Sequence, residues 1–284
     1  MTALKIYQAY IKALEPIYGR GESEAISKIV FEELGGLSRS DMIIRKDEPI
    51  AVETEKRLLA ALKKLQENKP VQYVTGIAWF CGERFTVAGD VLIPRPETEE
   101  LVDKAIRFLS TKDRPSLIDI GTGSGCIAIS LKKKLPTASV TAIDRSDKAL
   151  RIARQNSLDL GTDIRFMEMD FLDECNWAAF AHVDCIISNP PYIPISEKQT
   201  MDAHVVRYEP GLALFVEDER PLIFYEKIAA FAKEHLAPNG MVWVETHENL
   251  AAQVCELFRM QGFESGIEKD VFGKDRMVWA TRIP

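Results

Sequence analysis

The spacing of apolar residues divides the chain into three segments, and the first has a helical pattern. In residues 1–70 apolar positions recur every three or four residues, which predicts helices over 4–18, around 25–34 and around 58–65. Gly19, Gly35 and Gly36 end the first two helices, and Pro70 follows the third. We therefore expect a small N-terminal helical domain over residues 1–70. It either docks a partner or packs as a lid, and the pattern leaves both open.

Residues 71–95 form the second segment, in which aromatic and β-branched side chains alternate with glycines. Such interleaving favours a hairpin, and we expect a β-hairpin linker over residues 71–95. Pro94 and Pro96 then keep the chain extended. Thr98 follows them, and we predict that it caps a helix running from residue 99 to about residue 108.

The third segment, residues 96–284, alternates short apolar runs with amphipathic stretches. The pattern predicts strands over 116–120, 139–143, 164–167, 183–187 and 241–245. It predicts helices over 124–134, 146–157, 222–235 and 250–260. This alternation specifies an α/β fold, with a mostly parallel sheet covered by helices on both faces. Such sheets bind ligands at the carboxyl ends of their strands.

Composition and charge narrow the classes of partner. The chain has 284 residues, of which 46% are hydrophobic and 28% charged, as is usual for globular domains. Residues 1–70 are near neutral, with 12 Lys and Arg against 11 Asp and Glu, and the net charge of −7 comes from the remainder. Because a surface that binds phosphates is basic, this balance disfavours a nucleic-acid substrate and leaves room only for a local basic patch.

Cysteine and histidine patterns carry no metal or disulfide signature. The five cysteines include no C-x-x-C pair, and the four histidines lack metal-ligand spacing. We therefore expect free thiols in a reducing cytoplasm and no bound metal. The sequence contains no run of 18 apolar residues and no secretory pattern at residues 1–5. We expect a cytoplasmic monomer without a membrane partner.

A glycine-rich loop follows the first strand predicted in the third segment. Its residues are Asp119, Ile120, Gly121, Thr122, Gly123, Ser124 and Gly125. The G-x-G-x-G spacing differs from the G-x-G-x-x-G of dinucleotide sites, and the Gly-Lys-Ser or Gly-Lys-Thr ending of phosphate loops is absent. Glycines allow a tight turn here and let a ligand approach the backbone closely.

Two carboxylates and an aromatic ring follow the next two strands. Asp144 can accept hydrogen bonds from both hydroxyls of a ribose. Asp170 can accept one from an adenine amino group, and Phe171 can stack on the ring. Taken singly, Asp144 could cap a helix and Phe171 could belong to the core. Together with the glycine loop, these features at successive strand ends favour a cofactor that contains adenosine.

Asn189, Pro190, Pro191 and Tyr192 follow the fourth strand. One interpretation is a rigid turn, which consecutive prolines often make. The other is a site for a planar NH2 group, because the Asn189 side-chain oxygen and the Pro190 carbonyl are two acceptors for its hydrogens. Tyr192 offers a flat face for stacking. The nitrogen can belong to a nucleobase or to an amide.

The same acceptors suit a nitrogen that attacks a sulfonium methyl group. They place negative partial charge where positive charge develops. The main requirement is alignment at short distance, so Asn189, Pro190 and Tyr192 are the candidate catalytic residues, and we assign no general base.

Further segments match one family. They are residues 70–73 with Gly76, Phe80 and Gly82, residues 91–99, residues 208–210 with 213–214, and residues 273–276. With these segments and the motifs above, the chain resembles the PrmC/HemK family, the glutamine methyltransferases of peptide chain release factors. The tetrapeptide at 189–192 is shared with adenine methyltransferases, whereas the segment that contains Arg95 and Glu97 is more specific to this family.

The resemblance implies a fold, a cofactor and a substrate. The fold is a Rossmann-like sheet of the class I methyltransferases over residues 96–284, and the cofactor is S-adenosyl-L-methionine, with S-adenosyl-L-homocysteine as product. The loop at 121–125 would border the methionine part, and Asp144 would bind the ribose. Phe171 would lie by the adenine.

The resemblance also implies how the substrate is held. Asn189 would touch both the cofactor and the substrate, and Pro190, Pro191 and Tyr192 would seat a glutamine. In this family that glutamine lies in the Gly-Gly-Gln motif of a release factor. The N-terminal helical domain would help to dock that protein.

One position departs from the family pattern, which often has Glu-x-Gly after the fifth strand. Here the residues are Glu245, Thr246 and His247, and we expect a tolerated surface change near the cofactor. Arg95 and Glu97 either shape the entrance of the site or form a structural salt bridge.

Three alternative functions stay open. The first is a nucleic-acid methyltransferase that flips an adenine and modifies its exocyclic amine. The second is a glutamine methyltransferase of a ribosomal protein. The third is a non-catalytic scaffold that binds the cofactor.

Overall fold

The computed structural model describes residues 1–283 and divides into two compact units. One unit contains residues 1–77 and 202–208, and the other contains residues 78–201 and 209–283. Within residues 1–283, no helix is long and apolar enough to cross a membrane.

The secondary structure alternates helices and strands after residue 95. The helices are α1 (Ala3–Tyr18), α2 (Arg20–Gly35), α3 (Arg39–Ile44), α4 (Val52–Gln66), α5 (Val71–Thr75), α6 (Pro96–Leu109), α7 (Cys126–Lys134), α8 (Asp147–Asp159), α9 (Ala203–Tyr208), α10 (Gly211–Leu214), α11 (Ile223–His235) and α12 (Ala251–Met260). The strands are β1 (Ile77–Phe80), β2 (Glu83–Thr86), β3 (Ser116–Ile120), β4 (Ser139–Asp144), β5 (Arg165–Glu168), β6 (Val183–Ser188), β7 (Ile193–Pro194), β8 (Phe215–Val216), β9 (Leu236–Glu245), β10 (Phe263–Lys269) and β11 (Asp275–Arg282).

The N-terminal unit is a helical bundle, as its apolar spacing predicts. Tyr10 of α1 and Phe31 of α2 are fully buried and meet edge to face, with ring centroids 5.3 Å apart. The hydroxyls of Tyr10 and Tyr18 donate to the carbonyls of Leu58 and Leu65 on α4, which fixes α1 against α4. These bonds satisfy two phenol groups that burial would otherwise leave unpaired.

The expected hairpin linker over residues 71–95 is only partly correct. Val71–Thr75 is the helix α5, which ends at Gly76 in the left-handed conformation. The hairpin itself is confined to β1 and β2. The chain also contains the short helix α3, which the apolar spacing did not reveal because six residues are too few to show a helical period. A capping box between Ser38 and Asp41 begins it.

The larger unit is built on a seven-stranded sheet of order β10-β11-β9-β6-β3-β4-β5. Strands β9, β6, β3, β4 and β5 pair in parallel. Strand β11 pairs antiparallel with both β9 and β10. The parallel part confirms the α/β fold expected from the sequence. The hairpin of β10 and β11 was not among the predicted elements.

Alternate residues of the strands pack into two separate apolar clusters, one on each face of the sheet. Ile118 and Ile120 of β3 pack with the buried side chains of α11 and α12. Leu117 of the same strand packs with those of α6 and α7. This is the period of two expected of a strand that is buried on both faces.

A buried asparagine on α8 joins three parts of the larger unit. Asn156 is fully buried, and its side-chain oxygen accepts from the backbone N–H of Thr86 at 2.7 Å. Its Nδ2 donates to the carbonyl of Thr86 at 3.0 Å and to that of Ser124 at 2.9 Å. One side chain therefore fixes the end of the β1–β2 hairpin and the glycine loop to α8.

We expect Asn156→Ala to lower the free energy of unfolding by about 1–3 kcal/mol, because it removes the side-chain partner of two backbone groups of Thr86 and of the buried carbonyl of Ser124. Chemical denaturation measures the change. Gln155→Ala, at the exposed neighbouring position of α8, is the control and is expected to stay within about 0.5 kcal/mol of the parent. An equal, small effect of both substitutions would contradict this role of Asn156.

Candidate active site

The glycine loop after β3 is fixed to the end of β4. The backbone N–H groups of Gly121 and Thr122 both donate to the carbonyl of Ile143 at 2.9 Å. Gly121 and Gly123 have positive φ angles of 75° and 55°, which side chains with a Cβ rarely adopt. The loop therefore exposes backbone, rather than side chains, beside the carboxyl end of β4.

Gly125 ends the loop and begins α7 in the left-handed conformation. A Cβ at this position would lie 2.9 Å from Cδ1 of Ile129 and 3.1 Å from Cβ of Ala153. Glycine is required here for both its backbone conformation and the close approach of α8.

Asp144 lies at the carboxyl end of β4, beside the loop. Its Oδ2 accepts from the N–H of Gly123 and its Oδ1 from the N–H of Ser146, both at 2.9 Å. Burial raises the pKa of Asp144, and these backbone donors oppose the shift. Each oxygen keeps a lone pair for a further donor. The side chain that caps α8 is that of Ser146, which accepts from the N–H of Ala149.

Asp170 and Phe171 follow β5 but have different environments. Asp170 is about half exposed, and its carboxylate lies 3.9 Å from the Arg145 guanidinium. Phe171 is 5% exposed and stacks on Trp177, with ring centroids 5.4 Å apart. Most of the Phe171 ring therefore belongs to the core, and only part of it is left to contact a ligand.

These strand ends enclose a cavity of about 300 Å³, at the lower end of the range for small-molecule sites. The predicted residues that line it are Gly121, Gly123, Asp144, Asp170, Phe171, Asn189, Pro190 and Pro191. Four others lie outside its lining: Thr122, Ser124, Gly125 and Tyr192. Thr122 instead donates to the buried Asp119 carboxylate at 2.6 Å.

The cavity also has walls that sequence reasoning missed. Residues 89–92 form one of them, and Pro210, Leu212, Ala213 and Phe224 contribute to another. The segments 91–99, 208–210 and 213–214 matched the family, but no role had been assigned to most of their residues. That family match was the sequence signal that could have identified these cavity walls.

An ion pair connects the segments behind these walls. Arg95 donates to Oε1 of Glu209 at 2.6 Å, and the N–H of Ile93 donates to Oε2 at 3.3 Å. The Glu209 side chain is 1% exposed. Arg95 thus forms a structural salt bridge that also shapes the cavity, because Val91 and Pro210 on either side line it.

Asn189 belongs to a chain of hydrogen bonds that passes through the buried side chains of Thr98 and Glu245. Its Nδ2 donates to Oγ1 of Thr98 at 3.1 Å, and Thr98 donates to Oε2 of Glu245 at 2.6 Å. The prediction that Thr98 caps a helix is wrong, since α6 begins at Pro96 and its N-terminal cap position is Arg95. Helical continuation through 96–98 leaves the Thr98 hydroxyl free to face Glu245.

Tyr192 completes this chain. Its hydroxyl donates to Oε1 of Glu245 at 3.2 Å. Burial raises the pKa of Glu245, while the bonds from Thr98 and Tyr192 and the charge of Arg276 oppose the shift. Burial likewise raises the pKa of Tyr192.

His247, the departure from the family pattern, lies beside Tyr192. Their ring centroids are 6.3 Å apart, and His247 Nδ1 accepts from the N–H of Asn249 at 3.2 Å. It is partly buried and is not among the residues that line the cavity.

Among residues 1–283, no cluster of three or more His, Cys, Asp or Glu side chains could hold a metal ion.

The mostly parallel sheet, with the glycine loop and Asp144 at the carboxyl ends of its strands, defines a class I methyltransferase fold. The 16S rRNA methyltransferase RsmC of T. thermophilus has a similar fold, with a TM-score of 0.51 and 16% identity over 73% of this chain and 50% of that one. Residues 5–76 match the PrmC N-terminal domain, and residues 99–207 match the Methyltransferase small domain.

Relatives that match along almost the whole chain have a higher sequence identity than the RsmC structure. The release factor glutamine methyltransferase of Bacteroides thetaiotaomicron is 41% identical over 96% of this chain and 98% of its own length. That of Flavobacterium psychrophilum is 40% identical over 95% of both chains. The chain belongs to the release factor glutamine methyltransferase family.

Asp119, beneath the loop, gives the structure a pH-dependent stability. Burial raises the pKa of Asp119 to about 7, so the folded protein retains this proton at pH values where the unfolded chain loses it. Its contribution is fully present below the ordinary pKa of aspartate and is lost as the pH rises through about 7.

We therefore expect the free energy of unfolding of Asp119→Asn, relative to the parent, to rise by at least about 1 kcal/mol between pH 5 and pH 8. Denaturation at the two pH values measures it. Asp113→Asn, on the exposed surface, is the control. A difference for Asp119→Asn that does not change with pH would show that Asp119 is ionised throughout.

Proposed function

We propose that this protein transfers the methyl group of S-adenosyl-L-methionine to the side-chain amide nitrogen of the glutamine in the Gly-Gly-Gln motif of peptide chain release factors. The observation that carries the proposal is the similarity along almost the whole chain to proteins named release factor glutamine methyltransferase. Asn189 and Pro190, which line a ligand-sized cavity, independently support transfer to a planar NH2 group.

The residues that line the cavity support S-adenosyl-L-methionine as the cofactor. Gly121 and Gly123 have no Cβ, so the methionine part of the cofactor can lie against their backbone. The Asp144 carboxylate has lone pairs available for the ribose hydroxyls, and Asp170 can accept from the adenine amino group. Both carboxylates also favour a cationic sulfonium. The exposed part of Phe171 would border the adenine.

Two acceptors would hold the substrate nitrogen. The Asn189 Oδ1 and the Pro190 carbonyl each accept one N–H of a planar amide, which fixes the nitrogen in position and places negative partial charge beside it. Pro190 and Pro191 restrict the backbone, so this geometry is formed before the substrate binds. S-adenosyl-L-methionine supplies the electrophilic methyl group when bound.

The remaining parts contribute to substrate recognition. Tyr192, which lies outside the cavity lining, would present its ring to the glutamine. The helical domain over residues 1–70 would help to dock the release factor.

All five cysteines are free thiols, which suits a reaction in the reducing cytoplasm, where translation occurs.

Asn189→Ala is expected to lower kcat about 100-fold or more, because one acceptor for the developing charge is lost. Its affinity for S-adenosyl-L-homocysteine should stay within a few-fold of the parent, since the loop and Asp144 are unchanged. Steady-state kinetics and calorimetry measure the two quantities. Gln261→Ala, at an exposed amide that is not among the residues lining the cavity, is the control. Undiminished turnover by Asn189→Ala would refute the assigned role.

The substrate is tested by incubating the protein with isotopically labelled S-adenosyl-L-methionine and an unmodified release factor. Mass spectrometry is expected to locate one added methyl group on the Gly-Gly-Gln glutamine. A release factor with that glutamine replaced by alanine is the matched control and should gain no label. Parallel reactions contain DNA and ribosomal proteins. Label on either of these, and none on the release factor, would refute the substrate assignment.

A further inference from the structure

The side-chain amide of Asn189 is useful to the proposed reaction in only one of its two orientations. An oxygen that faces the substrate accepts a hydrogen bond from the glutamine NH2 group, whereas an NH2 group in that place repels it. The two orientations have almost the same shape, so packing alone discriminates poorly between them. Some polar contact must therefore select one.

The hydrogen-bond chain behind Asn189 provides the selection. With Glu245 ionised, its carboxylate accepts only, and the hydroxyls of Thr98 and Tyr192 both donate to it. Thr98 has one hydroxyl proton, and it is used on Oε2 of Glu245 at 2.6 Å. Thr98 can then meet Asn189 only as an acceptor, which places Nδ2 of Asn189 against it at 3.1 Å. Oδ1 is left on the other side of the amide.

Burial makes this selection strong. Thr98 and Glu245 are each 2% exposed, so no bulk water competes for their hydrogen bonds. An inverted Asn189 would present a carbonyl oxygen to an oxygen that has no proton left, and it would leave a buried acceptor pair unsatisfied. A loss of this kind costs about 1–3 kcal/mol, which favours one orientation by roughly 5-fold to 150-fold.

We infer that Thr98 and Glu245 are positioning residues that set the orientation of the Asn189 amide and thereby make it an acceptor for the substrate nitrogen. The inference rests on the proposed function for its catalytic consequence, but the orientation itself is a property of the protein alone. Neither residue needs to touch the substrate.

Thr98→Val tests this, because valine keeps the shape of threonine and removes the hydroxyl. We expect kcat for release factor methylation to fall at least about tenfold, with KM and the affinity for S-adenosyl-L-homocysteine within about threefold of the parent. Thr98→Ser retains the hydroxyl and should recover most of kcat. Thr281→Val is the matched control, since it removes a threonine bond to the Gly240 carbonyl in the same unit.

A spectroscopic measurement separates orientation from general damage. The 15N side-chain amide signals of Asn189 are identified by their absence in Asn189→Ala. We expect them to shift or divide into two sets in Thr98→Val, and to keep the parent positions in Thr98→Ser and Thr281→Val. Thermal unfolding of each variant establishes that it is folded.

Glu245→Gln provides a second test that does not depend on Thr98→Val folding. Its amide can donate to Thr98, which frees the threonine proton for Asn189 Oδ1 and permits the inverted orientation. We expect a lower kcat and a second set of Asn189 signals. Parent kcat and unchanged signals in a folded Thr98→Val or Glu245→Gln would overturn the inference. If the parent methylates no release factor, the proposed function fails, whereas the Asn189 signals still decide the orientation.

Discussion

The site depends on the register in which β3 pairs with its two parallel neighbours, β4 and β6. Ile120, the last residue of β3, pairs with Ile143 of β4 and with Ser188 of β6. Parallel strands in register leave the sheet at the same level, so the residues that follow these three emerge side by side. They are Gly121, Asp144 and Asn189, and all three line the cavity. A shift of one residue in either pairing would turn the neighbouring side chains to the opposite face.

Burial of polar groups then decides how these residues are held. Asn156 and Glu209 are buried, and each satisfies backbone groups on segments that are distant in sequence. Asp144 receives its bonds from the glycine loop and from the start of α8. Since an unpaired buried polar group is costly, each of these contacts restricts the backbone around the cavity to one arrangement. The rigidity suits a reaction in which alignment is the main requirement.

The family and the geometry support different parts of the functional proposal. The similarity to release factor glutamine methyltransferases bears on the substrate. The positions of Asn189 and Pro190 bear on the chemistry, since two acceptors hold any planar NH2 group equally well. The buried chain through Thr98 and Glu245 adds a reason why the asparagine presents its oxygen. It also gives a role to Glu245, which the sequence had singled out only for its neighbour His247.

The sequence by itself determined the α/β alternation, the family and the residues at the strand ends, because apolar periodicity and short motifs are local signals. β3 was predicted with its observed bounds, and the predicted ends of β4 and β6 lie within one residue of the observed ones, which placed the loop, Asp144 and Asn189 at the strand ends. Only the tertiary structure decided what depends on long-range contacts. Thr98 meets Glu245 across 147 positions, and Ile93 meets Glu209 across 116. The tertiary structure also shows that Tyr192 does not line the cavity and that most of the Phe171 ring lies in the core. Their partners, Glu245 and Trp177, are set by packing, which no local pattern encodes.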